Sequence, residues 1–159
     1  MNWQEVCDHP QLQNLPFKIE LNAWGNIVMS PAKSNHSVLQ WRIQRCIYDL
    51  LGKQGEVIPE CPIRTSDNVK VADVAWISDA RFQQVRDEIA YSVAPEVCVE
   101  VISTSNSQDE MNTKKALYFA AGAREVWFCD EAGTLSFHGP TGVLAHSVMI
   151  PGMPGRVQI

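Results

Sequence analysis

The spacing of apolar residues changes several times along the chain, and each change marks an element. Phe17-Lys18-Ile19-Glu20-Leu21 and Ile27-Val28-Met29 flank the turn-forming stretch Asn22 to Gly25, which predicts a β-hairpin over 17–29. Alternation in its first strand puts Glu20 on the opposite face from Ile19 and Leu21. After Ser30-Pro31 the period lengthens to that of a helix, with Leu39, Ile43, Cys46, Ile47 and Leu50 in one stripe. Ser34 or Asn35 caps this helix, and Gly52 and Gly55 stop it near Leu51. His36 falls on the same stripe, which reads as a satisfied core histidine, with a catalytic role as the alternative.

Strand patterns follow at about 56–63, 71–78 and 96–102, the last two separated by a surface loop with a short helix. The run Ser103 to Ser107 caps a second long helix over about 107–122, ending at Gly122. The same run offers a phosphate a helix N-terminus as the less expected reading. Glu125 to Cys129 is a fourth central strand, Glu131-Ala132-Gly133 a turn, and a last hairpin leads to a tail expected as an ordered strand or loop. The predicted class is α/β of mixed α+β character: a central mixed sheet flanked by helices, with hairpins near both ends. A chain of 159 residues is long enough for one domain, read as a core over about 17–159 behind an N-terminal extension, 1–16.

Two acids interrupt strands that otherwise read as buried on both faces. Asp73 lies in VKVADVAWIS, sharing a face with Val71, Ala75 and Ile77; Glu100 lies in APEVCVEVIS, sharing one with Cys98 and Ile102. A lone buried carboxylate is costly, so two on neighbouring strands call for a shared partner such as a divalent metal. In the second long helix Met111, Leu117, Tyr118 and Ala121 define the packed face, with Lys114 near its centre and Lys115 on its flank. A lysine there needs an anion, and Glu100 stands just upstream. A strand Asp, a strand Glu and a nearby Lys form the set that metal-dependent phosphodiester hydrolysis uses, with Glu20 as a further member.

Composition narrows this picture. Hydrophobic residues make up 45% and charged residues 19%, which excludes a disordered chain, and no apolar stretch reaches transmembrane length. The polar N-terminus is not a signal peptide. Five cysteines without CxxC spacing argue against a zinc site and for reduced thiols in the cytoplasm. A net charge of −5 argues against a general nucleic-acid coat protein but not against a nuclease. Lys33, Arg42, Arg45 and Lys53 read as a solvated positive stretch. Trp24, Trp41, Trp76 and Trp127 read as core or interface, with Trp41 off the helical stripe.

Several segments together carry a family resemblance: FKIELNAWGNIVMSPA, the NHS entering the first helix, VADVAWIS, PEVCVEVIS, STSNSQDEMNTKKALYFAAGAREVWFCD and IPGMPGRV. With these, the chain from about residue 17 resembles the Uma family of restriction-endonuclease-like domains, within the PD-(D/E)XK nuclease superfamily. The resemblance implies a restriction-endonuclease-like fold, Asp73 and Glu100 as metal ligands, and Lys114, four before Tyr118, as the helix lysine. It matches Glu20 to an early glutamate and His36 to an early histidine. Two departures stand out. The PD dipeptide is Ala72-Asp73, and the superfamily lysine two after the glutamate would fall at Ile102, so the resemblance moves that role to Lys114.

The resulting expectation is an endonuclease that hydrolyses DNA with Mg²⁺, Mn²⁺ being possible. Catalytic residues are Asp73, Glu100, Lys114 and Glu20, with Asp73 and Glu100 on the metal. The alternative is a catalytically silent member binding nucleic acid or a protein; a hydrolase of small phosphoesters is a weaker third. One such domain is too small to encircle duplex DNA, so a homodimer or larger assembly is expected.

Overall fold

The structure is a computed structural model and describes residues 1–31 and 33–158, so Ala32 and Ile159 lie outside it. Its elements run α1 (Trp3–Asp8), β1 (Phe17–Leu21), β2 (Ile27–Pro31), α2 (Ser34–Leu51), β3 (Glu56–Thr65), β4 (Asn68–Ile77), α3 (Asp79–Val85), β5 (Val97–Val101), α4 (Gln108–Ala120), β6 (Glu125–Cys129), β7 (Leu135–Gly139) and β8 (Gly142–Leu144). Strands β3 to β8 form a six-stranded sheet in sequence order, while β1 pairs with β2 in a separate hairpin. All neighbours in the large sheet are antiparallel except β5 and β6, which α4 connects. A parallel pair needs a crossover, and this helix supplies it. The expected mixed sheet flanked by helices is therefore the architecture observed.

Each face of the sheet has its own helix. Leu39, Ile43 and Ile47 of α2 pack on Val74, Val97, Val99 and Trp127, and each of these buried aliphatic side chains contributes about 1.5–3 kcal/mol. Leu50 leaves the predicted stripe and is exposed, while its neighbour Leu51 packs against the core instead. On the other face Tyr118 of α4 packs against Cys98, Val126 and Phe128. Alternation along β5 therefore sends Val97, Val99 and Val101 toward α2, and Cys98 with Glu100 toward α4.

Several boundaries differ from the expectation, each for a local reason. β3 and β4 form one long hairpin around Ser66-Asp67, where Asn68 takes φ +61°. Polar Asn68 and Lys70 hide its length in the sequence. Lys70 is buried nonetheless, because its ammonium donates to the Leu21 carbonyl and pairs with Asp67, both at 2.9 Å. The N-terminal extension, 1–16, packs on the domain through α1. Asn2 and Glu5 make a capping box for α1, and Trp3 and Val6 pack with Leu21, Val69, Val71 and Ala90.

The tail lies against the β6–β7 turn at Gly133 (φ +86°), where an added Cβ would collide with the Val157 carbonyl. Trp76 and Trp127 are buried as expected, but Trp24 at the hairpin turn is 82% exposed and Trp41 58% exposed. All five cysteines are free thiols, with Cys61, Cys98 and Cys129 in the core; burial pushes Cys61 and Cys129 up to about 12. Among the described residues no helix is long and apolar enough to cross a membrane.

Candidate active site

The β1–β2 hairpin is fastened to β4 through side chains as well as packing. Glu20 Oε2 accepts from the Val71 amide at 2.7 Å, and Asp67 Oδ1 accepts from the Ala23 amide at 2.8 Å. β1 thus turns the face that carries Lys18 and Glu20 toward the sheet, and Ile19 and Leu21 toward the cluster around Trp3, Val6 and Val69.

The sheet opens at the point this face meets. The β4–β5 ladder pairs Trp76 with Val97, Ala75 with Cys98 and Val74 with Val99. One step on, the side chain of Asp73 replaces the main chain, and its Oδ2 accepts from the Val101 amide at 2.7 Å. Ala72 and Ala75, three apart, both join the α4-side cluster, so the alternation slips at Asp73. Across β3 the matching position is Glu60, unpaired between Pro59–Val74 and Cys61–Ala72, with φ +49°. This break seats a carboxylate inside a sheet that would otherwise exclude it.

Asp73, Glu100 and Glu20 are all buried, at 1%, 4% and 6% exposure, and two ammonium groups knit them together. Lys114 Nζ lies 2.8 Å from Glu20 Oε2 and 3.1 Å from Glu100 Oε1. Lys18 Nζ lies 2.9 Å from Glu100 Oε2 and 3.2 Å from Asp73 Oδ1, and donates to the Val71 carbonyl at 3.2 Å. Tyr118 donates its hydroxyl to Glu100 Oε1 at 2.5 Å, and Gln40 donates to the Asp73 carbonyl at 2.8 Å. His36 Nε2 stands 3.3 Å from Asp73 Oδ2, while its buried Nδ1 has no partner. The expectation of a satisfied core histidine is therefore corrected: the ring faces the acid cluster, one nitrogen unpaired.

Burial works against every charge in this cluster, and the balance differs from group to group. It is the largest influence on Lys18 and would lower it, yet Glu100, Asp73 and Glu20 outweigh it and hold the ammonium well above its ordinary range. Asp73 is likewise pushed up by burial first, but Lys18, His36 and the Val101 amide bring it well below the carboxylate range. Lys114 and Lys18 likewise outweigh burial at Glu20 and lower it. Glu100 goes the other way, because burial, with Asp73 and Glu20 adding to it, outweighs Lys114 and Lys18. Contact with Asp73 raises His36 against its own burial.

A cleft of about 840 Å³ opens over this cluster, lined by Lys18, Glu20, His36, Glu100 and Lys114, with Asp73 behind them. The oxygen donors fit a hard divalent cation in kind: two carboxylates and the Val71 carbonyl converge on one point. That point is held by Lys18 Nζ, at ammonium distances rather than the ~2.1 Å of Mg²⁺–oxygen contacts. Among the described residues no three His, Cys, Asp or Glu side chains stand close enough to cage an ion. The acids would hold a divalent ion only with Lys18 withdrawn.

All four site residues expected from the sequence, Asp73, Glu100, Lys114 and Glu20, meet here, and Lys115 does not. Lys18 joins them without having stood out in the sequence, although a signal exists: it lies two before Glu20, and period-2 alternation puts both on one face. Tyr118 reads from the sequence as a core residue only; its hydroxyl became relevant once Glu100 lay beside it. The Ser103–Ser107 run does cap α4 through Ser107, whose hydroxyl accepts from the Glu110 amide at 3.1 Å. Asp109 and Glu110 fill the first turn of α4, so its N-terminus already faces negative charge and is a poor phosphate seat.

A family model described as "Uma2: Putative restriction endonuclease" matches residues 3–145. The match begins before residue 17 and leaves the IPGMPGRV tail outside. A solved structure described as a putative nuclease belonging to DUF820, from Anabaena variabilis, superposes with a TM-score of 0.66 at 17% identity, covering 92% of this chain and 85% of that one. At that identity the likeness concerns the fold. No curated protein matches the chain.

Proposed function

We propose that the cleft of this chain, which belongs to the Uma2 family, hydrolyses phosphodiester bonds in DNA with Mg²⁺, or Mn²⁺, as cofactor. One observation carries the reading: Asp73, Glu100 and Lys114, far apart in sequence, meet at the floor of one cleft where the sheet ladder breaks. Asp73 and Glu100 are the residues assigned to hold the ion, which when bound would polarise the phosphate and acidify a water molecule. Lys114 lines the cleft between Glu20 and Glu100, placed to orient the attacking water or to offset charge on the phosphate oxygens. Glu20 positions Lys114, and Tyr118 fixes the rotamer of Glu100. Hydrolysis forms the bond from water oxygen to phosphorus, breaks one ester P–O bond, and returns a proton to the leaving oxygen.

The test is plasmid nicking with Mg²⁺ or Mn²⁺, wild type beside Asp73→Ala. Wild type is expected to nick and the variant to lose at least about a hundredfold; equal activity in both, or none in either across metals and substrates, removes the nuclease reading. The cleft rim favours a second reading. Asp109, Glu110 and Glu131 stand there against Lys33, on a chain of net charge −5. A catalytically silent member that binds nucleic acid or a protein fits that rim, and metal binding without cleavage would select it. One such domain is too small to encircle duplex DNA, so we also place function in a homodimer or larger. Light scattering in solution checks this, and a monomer at working concentration counts against it.

A further inference from the structure

Lys18 lies between two cavities. Its ammonium points into the acid cluster, where its three donors meet Asp73, Glu100 and the Val71 carbonyl. Lys18 also lines a second cavity of about 320 Å³, together with Asn14, Phe17, Glu60 and Val71. Glu60 is exposed there and held at φ +49° in the break of the β3–β4 ladder, across from Asp73. Lysine has a long flexible stem, so its ammonium can leave the acid cluster without moving the strand.

We infer that Lys18 is a displaceable internal cation, holding the divalent-ion seat between Asp73 and Glu100 and withdrawing toward Glu60 in the second cavity when an ion enters. This rests on the assignment of Asp73 and Glu100 as ion ligands. The geometric ground is that the ammonium is bound as an ion would be, by one oxygen from each acid and one backbone carbonyl, so both cannot occupy the point. Electrostatics agrees. Three buried acids face Lys18 and Lys114, and removing Lys18 without replacement leaves buried negative charge that a cation relieves. Lys18 thereby sets ion affinity: metal binds only after breaking two buried ion pairs, and Glu60 recovers part of that loss.

The experiment is direct titration of Mn²⁺, followed by calorimetry and by the free Mn²⁺ paramagnetic signal, with no nucleic acid present. Lys18→Met is expected to bind Mn²⁺ at least tenfold more tightly than wild type, and its melting temperature to rise more with Mn²⁺ than that of wild type. Lys18→Arg, which keeps a cation in the seat, is expected to show no gain. Glu60→Gln, a substitution at an exposed position in the wild-type background, is expected to weaken Mn²⁺ binding at least threefold. If Lys18→Met binds no more tightly than wild type, the inference is overturned whatever the wild-type affinity. Should that variant fail to fold, Glu60→Gln decides: binding equal to wild type overturns it. Wild-type nicking is scored separately, so failure here leaves the hydrolase reading standing, and loss of nicking leaves the titration interpretable.

Discussion

Glu125→Ala is expected to cost about 4 kcal/mol of stability, as much as a large core truncation, although Glu125 lies outside the cleft. Its buried carboxylate accepts four hydrogen bonds: from Trp127 Nε1 at 2.9 Å, Ser147 Oγ at 2.7 Å, and the amides of Val148 at 2.9 Å and Met149 at 2.7 Å. It ties the segment after β8 to the start of β6. Alanine would take the acceptor from all four donors, and each buried unpaired group costs about 1–3 kcal/mol. For a domain of this size that shift lowers the melting temperature by about 10 °C. Glu125→Gln keeps the shape but puts an amide NH₂ against a ring of donors, so it should cost about half as much. Nicking per folded molecule should be unchanged in both. Thermal melts check this, and a shift under 3 °C for the alanine variant would mean water or local rearrangement satisfies these donors.

Glu100→Ala is expected to disable the site and weaken the fold together. Glu100 is the common partner of Lys18, Lys114 and Tyr118, so its removal leaves two ammonium groups and a buried hydroxyl short of an acceptor. Stability should fall by about 3 kcal/mol, and Mg²⁺-dependent nicking by at least about a hundredfold. Adding Lys18→Met removes one of the stranded charges. The double variant should therefore be more stable than the sum of the single changes predicts, by at least about 1 kcal/mol, without recovering activity. Denaturant titration of the four proteins in that cycle gives the coupling. Strict additivity would show that the Lys18–Glu100 contact, 2.9 Å long, contributes nothing.

These two acids show how unevenly the sequence discloses its chemistry. Glu100 stands out because every neighbour in its strand is apolar, and Lys114 because helix phase centres it on the packed face. Lys18 obeys the same alternation as Glu20 yet passes for an ordinary charge at a hairpin edge. Edge lysines are common, and nothing local says that this one turns inward. Glu125 is hidden for another reason: it opens a strand after Arg124, where an acid reads as solvated, and its four donors come from β6 and from a tail more than twenty residues away. The length of the β3–β4 hairpin was masked by Lys70, whose burial depends on the Leu21 carbonyl of another element.

By itself the sequence determined the main elements and their class, a mixed sheet flanked by helices. Hydrophobic period is a local property, fixed by 3.6 residues per helical turn and two per strand repeat, and it set α2, α4, β5 and β6 before any contact was known. It also singled out Asp73 and Glu100, because burying a charge is costly wherever the strand goes. The tertiary structure decided which charges meet. Only the folded chain brings Lys18 from β1 onto the point shared by Asp73 and Glu100, turns His36 toward Asp73 and opens the ladder to admit a carboxylate. Coulomb energy depends on distance and local dielectric, and neither is written in residue order.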